Sequence, residues 1–139
     1  KNLKNILNDG VEDSKTTFNL IDESGEVVWI ILEDRDFNEL VASVFTTVNA
    51  LSQEINTESV MGLIFPVVIE NTDNSNYLDH NQRHYLIFNE NPPGYYPLVY
   101  QNEDRQPIAE IELFDLIKNS GIEFNKDQRK WFSVDNIPI

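Results

Sequence analysis

Two histidines stand four residues apart, His80 and His84. On a helix, an i, i+4 pair shares one face and can hold a metal. The neighbours read otherwise. His80 lies in a polar run, and His84 opens the strand-like Tyr85-Leu86-Ile87-Phe88, so the pair reads as two polar side chains rather than as ligands. The run Asn71-x-Asp73-x-Ser75-x-Tyr77-x-Asp79 alternates oxygen donors as a calcium loop does. The sixth position is Asn76 instead of glycine and the twelfth is Gln82 instead of glutamate, so a solvated loop of turn-forming residues is the expectation. Glu33, Asp34 and Asp36 form an acidic knot. Paired carboxylates can run acid–base chemistry, but at a helix mouth they cap the helix and suit its dipole. No Gly-rich phosphate loop and no nucleophile elbow is present, and there is no cysteine. No catalytic residue, metal or cofactor is expected.

The aromatic set Tyr95, Tyr96, Tyr100, Trp131 and Phe132 is more informative. Part of it must be core. Any of it left at the surface suits a protein partner, because Tyr and Trp bring large contact area with few rotors. These five residues are the candidate protein-binding site.

The elements that position them follow from periodicity. Leu3, Ile6, Leu7 and Val11 mark a short amphipathic helix over residues 1–12. Thr16 to Asp22 alternates as a strand, Glu23-Ser24-Gly25-Glu26 turns, and Val27–Leu32 is a β-branched run apolar on both faces. Asp36 then N-caps a helix, with Glu39 in the capping-box position. Phe37, Leu40, Val41, Val44, Phe45, Val48, Leu51 and Ile55 form one stripe of it. That stripe predicts Val41 and Phe45 buried against Trp29 or its strand neighbours, with Thr46 and Thr47 on the other face.

Glu58 to Glu70 reads as a strand with Pro66 at an edge or bulge. His84 to Asn89 and Tyr95 to Tyr100 read as a hairpin turned by Asn91-Pro92-Pro93-Gly94. Pro97 cannot donate to a ladder, which predicts that the second of these strands lies near a sheet edge. Pro107 starts another helix, through Ile108, Ile111, Leu113, Phe114 and Ile117, with Gly121 as its C-cap. Residues 127–139 hold one helical turn and then an extended, apolar run that docks on the body. The order α-β-β-α-β-β-β-α predicts a single α+β domain over 1–139: two layers, a mostly antiparallel sheet with helices packed on it.

Charge narrows the partners. Ten Lys+Arg against 24 Asp+Glu give a net charge of −14, which repels nucleic acid and anionic lipid. The clustered basic residues are Lys126, Arg129 and Lys130. The longest apolar runs, Val27–Leu32 and Val60–Ile69, fall far short of the roughly 20 residues of a spanning helix. Lys-Asn-Leu-Lys at the start has no apolar run behind it, so no secretory signal and a cytoplasmic location are expected.

The spacing of these elements resembles a known family. Val28-Trp29-Ile30-Ile31-Leu32-Glu33-Asp34-Arg35-Asp36-Phe37-Asn38-Glu39-Leu40-Val41 looks like the strand-to-helix signature of PspAB, the PspA-associated proteins of archaea and some bacteria. The Met61-to-Val67 strand with central Phe65, the pattern Tyr85-Leu86-Ile87-Phe88 then Gly94-Tyr95-Tyr96-Pro97-Leu98-Val99, and the ending Lys130-Trp131-Phe132 then Asn136-Ile137-Pro138-Ile139 look like the rest of it. The resemblance covers about residues 16–139. The chain departs from it in the long Asn/Asp-rich loop 71–81 and in the less charged helix exit Ser52-Gln53-Glu54-Ile55-Asn56. The resemblance implies an α+β architecture similar to type III secretion chaperones and YbjN-like domains, which bind protein. It also implies a link to the PspA membrane-stress system, whose central component is a membrane-associated coiled coil. It carries over no catalytic residue.

Two functions follow as expectations. One is a non-enzymatic protein-binding adaptor or chaperone-like domain, partnered by a PspA-like coiled coil or another membrane-stress component. On this reading a homodimer forms through the Tyr95–Tyr100 edge. The other is a small-molecule-binding or hydrolytic domain with a pocket between sheet and long helix, using the carboxylates at 33–36 or the two histidines.

Overall fold

The computed structural model describes residues 17–23, 27–52, 62–90 and 93–139. The fold is α+β, with two helices and two antiparallel sheets among the described residues. The expected helix over residues 1–12 lies outside them. The chain divides into two compact units, Lys1–Val60 and Met61–Ile139, each described here by itself.

In the first unit β1 (Thr17–Glu23) pairs antiparallel with β2 (Val27–Glu33), Leu20 opposite Ile30 and Ile21 opposite Trp29. Helix α1 (Phe37–Ser52) follows. Asp36 caps it as expected: its Oδ1 accepts the Glu39 N–H at 3.1 Å. The reciprocal half of the capping box is taken by a neighbour, because the Asp36 N–H donates to Asp34 Oδ1 at 2.9 Å. The poor helix formers in the middle are satisfied locally. Thr46 and Thr47 donate their hydroxyls to the carbonyls of Ala42 and Ser43, each at 2.8 Å.

The expected burial of Phe45 is not what the structure shows. Phe45 is 42% exposed, Val41 is half-buried, and Thr47 is buried. The cause is rotation about the helix axis. At about 100° per residue, Phe45 and Thr47 sit on opposite flanks of the Val44–Val48 line, each about 80° from it. The helix is turned towards the Thr47 flank.

In the second unit β3 (Leu63–Val67), β4 (Arg83–Glu90), β5 (Pro93–Gln101) and β6 (Asp104–Arg105) form one antiparallel sheet in that order. Pro66 lies on outermost β3, where a missing N–H is tolerated. Strand β5 is not an edge. It pairs with β4 along its length, and on its other side with β6 and, through a parallel bridge from Tyr95, with Phe124. Pro97 fits there because of register. Tyr95 N–H donates to Glu123 O at 2.9 Å, and Val99 N–H donates to Glu110 Oε2 at 3.1 Å. Both point away from β4, and Pro97 occupies the gap between them. The same bridge explains Gly94. At φ 150°, a Cβ would stand 2.9 Å from the Asn125 backbone nitrogen, so only glycine fits.

Helix α2 (Pro107–Ile117) starts on Pro107 as expected and ends without using Gly121. Lys118 is its C-cap, still in right-handed conformation, and Gly121 takes positive φ three residues later. Leu78, Val99, Ala109 and Leu113 form a core cluster, with Ile69 and Ile117 packed against it. A short 3-10 turn, Gln128–Lys130, leads into a segment over 131–139 that is neither helix nor strand; the extended run expected there is broken at Asn136, whose φ is 59°. That segment docks on the body: Trp131 and Ile137 are buried.

Candidate functional site

Cross-strand register places Tyr85 opposite Leu98, Ile87 opposite Tyr96 and Arg83 opposite Tyr100, so these six share one sheet face. Five of them are buried; Arg83 is exposed. The tyrosines of this face do more than pack. Tyr96 donates its hydroxyl to the carbonyl of Phe132 at 3.0 Å. Tyr100 donates to the carbonyl of Val134 at 2.9 Å and accepts the N–H of the same residue at 3.1 Å. Tyr85 donates to the backbone oxygen of Ile139. Three hydroxyls thus hold one C-terminal segment 34 to 54 residues away in the chain. Burial pushes the Tyr96 pKa up, against an opposing hydrogen bond with Asn89, so its hydroxyl stays a donor.

The five aromatic candidates therefore separate. Tyr96, Tyr100 and Trp131 are buried. Trp131 stacks on Tyr96 at 6.5 Å between centroids, tilts against Phe114 at 5.6 Å, and donates Nε1–H to Asn125 O at 2.7 Å. Tyr95 is half-buried on the opposite face, against Phe88 at 5.0 Å and Phe65 at 6.2 Å. Phe132, 58% exposed, is the one of the five open to a partner. The edge argument for a homodimer through Tyr95–Tyr100 goes with this, since that strand has neighbours on both sides.

Two carboxylates that sequence reasoning did not single out organise the unit. Glu110 is only 1% exposed; its Oε2 accepts the Val99 N–H and the Arg105 Nε–H, the latter at 2.8 Å. Arg105 also donates Nη1–H to Ser133 Oγ at 3.1 Å, tying β6, α2 and the segment over 131–139 together. Glu112 reaches the loop instead. It accepts three consecutive backbone N–H groups, from Asn76, Tyr77 and Leu78, at 2.9 to 3.0 Å. The run 71–82 is thus moored to α2, with Leu78 and Gln82 buried. No local signal announces this nest, because backbone amides carry no sequence signature.

Partial burial of Glu112 pushes its pKa up, but the three N–H bonds outweigh it and hold the carboxyl below the usual glutamate range. A lowered folded value contributes stability above the unfolded pKa and loses it as pH falls through the folded pKa. Acidification through the carboxylate range is therefore expected to loosen the 76–78 turn. Amide exchange of Asn76, Tyr77 and Leu78 measures it, and Glu112→Gln should remove the pH dependence. Exchange that stays flat on acidification would show that charge does not hold the nest.

The remaining candidates fall apart chemically. His84 is buried with Nε2 3.2 Å from Gln82 Oε1, while His80 is exposed. Burial chiefly, then His80, lowers the His84 pKa against the pull of Asp79. The loop oxygens turn onto their own backbone: Asn71 Oδ1 accepts from Asp73 N–H and Asp79 Oδ1 from Asn81 N–H. Among the described residues no three His, Cys, Asp or Glu converge as a metal set. Asp34 and Asp36 are engaged at the start of α1. Two shallow depressions of about 320 and 230 Å³ are lined by neither the 33–36 carboxylates nor the histidines. No helix among the described residues is long and apolar enough to cross a membrane.

The fold and its contacts define an α+β protein whose distinctive chemistry is aromatic and backbone-directed. The family model for PspA associated protein B matches residues 1–139, and the chain belongs to that family. No curated protein and no solved structure matches the chain.

Proposed function

We propose that this chain is a non-catalytic, protein-binding adaptor working in the cytoplasm, linked to a PspA-type membrane-stress response through a coiled-coil partner. Membership of the PspA-associated family supports the link. The observation that carries protein binding is helix α2. It is apolar inward, at Ala109 and Leu113, and also outward: Ile108, Ile111 and Leu116 are exposed, Leu116 at 61%. Three large aliphatic side chains left in solvent on one short helix are surface that a partner's apolar stripe would cover. Its acids are already engaged: Glu110 with Arg105, Glu112 with the loop, and Asp115 with Lys118 at 3.2 Å.

The test mixes the purified chain with a purified PspA-type coiled-coil protein and reads mass by size exclusion with light scattering. Co-elution is expected, and Leu116→Asp should weaken it at least tenfold. Separate elution of both proteins at tens of micromolar would overturn the reading. The same masses report self-association, which would have to use a surface other than β5.

A further inference from the structure

The segment 132–139 is held in an unusual way. None of its residues belongs to a strand. Its polar contacts run mainly through its backbone: the carbonyls of Phe132 and Val134 and the backbone oxygen of Ile139 accept from Tyr96, Tyr100 and Tyr85, the Val134 N–H donates to Tyr100, and the Ser133 side chain adds one bond, its Oγ accepting from Arg105. Six of its eight residues are exposed. Ile137 is buried and Val134 half-buried, while Phe132, Ser133, Asp135, Asn136, Pro138 and Ile139 are exposed. Backbone groups read by fixed side chains, plus one buried side chain, is the pattern of a protein bound to a peptide, here one turned at Asn136, whose φ is 59°.

We propose that this tyrosine-lined face is a binding groove for a peptide with a branched aliphatic anchor, filled in cis by residues 132–139, which turn at Asn136. Tyr100, bonded to both the carbonyl and the N–H of Val134, sets the register, and the Ile137 side chain is the anchor three residues on. The groove's charges select the ligand class. The Arg83 guanidinium lies 5.6 Å from the Tyr100 ring and 6.0 Å from the Tyr85 ring, and Arg105 reaches Ser133. Arg105 is already paired with Glu110 at 2.8 Å, so the Arg83 guanidinium is the positive charge this face offers, and a segment with an acidic residue beside it is favoured over a basic one. Releasing the strap breaks no ladder and leaves the tyrosine hydroxyls directed at whatever backbone replaces it. This groove is distinct from the outer face of α2, so the inference stands or falls without the coiled-coil partner.

A labelled peptide with the sequence of residues 132–139 tests it against the full chain by fluorescence anisotropy. The cis strap competes at an effective concentration on the millimolar scale, so the parent chain should bind the peptide weakly. Ile137→Asp loosens the strap, and the variant chain should bind at least tenfold tighter than the parent. A peptide carrying aspartate at the anchor should bind the variant at least tenfold more weakly. Hydrogen exchange on the unaltered chain is the second measurement. The Val134 amide should exchange at least a hundredfold faster than the amides of Tyr96 and Leu98, because the strap opens without the sheet. A folded variant that binds no tighter than the parent would overturn the proposal. So would loss of the whole fold in Ile137→Asp, or a Val134 amide that exchanges only as fast as Leu98, since either makes the segment part of the core.

Discussion

Trp131→Ala is expected to lower stability by about 3–5 kcal/mol, the range for emptying a buried aromatic site. Set against a total of about 5–15 kcal/mol for a domain, that is a large share. The site cannot easily collapse, because Trp131 is wedged between Tyr96 and Phe114 and its Nε1–H satisfies the Asn125 carbonyl. Asn125 is in turn bonded through its N–H to Tyr95 O at 2.8 Å, so the carbonyl left behind sits on a fixed backbone. Trp131→Phe keeps most of the ring and loses the donor, and should cost about 1–3 kcal/mol. Urea unfolding measures both. A midpoint for Trp131→Ala close to that of the parent would mean that this indole is not part of the core.

Glu110→Ala should cost about 2–4 kcal/mol, for a different reason. One carboxylate oxygen serves two donors, the Val99 N–H inside the sheet and the Arg105 guanidinium. Removing it strands a buried backbone donor and a charge that is only partly solvated, the Arg105 side chain being 25% exposed. Glu110→Gln keeps an acceptor for the Val99 N–H and loses the charge assistance, so it should fall between parent and alanine. The midpoint should shift while the urea dependence of the unfolding free energy keeps its slope. Equal losses for glutamine and alanine would mean that charge, and not the bond to the strand, is what Glu110 supplies.

Local pattern carried much of the architecture. Alternation and β-branched runs placed β1, β2, β4 and β5, because a strand's two faces repeat every second residue. Asp36 and Pro107 marked helix starts, because capping and a fixed φ act within one turn. The family was legible too, since its signature is spread through those same runs.

Tertiary structure alone decided the rest. Periodicity defines a helix stripe but not the helix's rotation about its axis, so Phe45 ended exposed and Thr47 buried. Proline marks a missing donor but not which side of the strand lacks one. Pro97 therefore read as an edge residue, although β5 has neighbours on both sides. The aromatic set read as one group because composition does not distinguish a ring in the core from one in solvent. Packing separated Phe132 from Tyr96, Tyr100 and Trp131. The tyrosine hydroxyls meet their acceptors across 34 to 54 residues, and Glu112 meets backbone amides 34 to 36 residues away. A backbone group has the same chemistry at every position, so only the folded chain selects which one a side chain reaches.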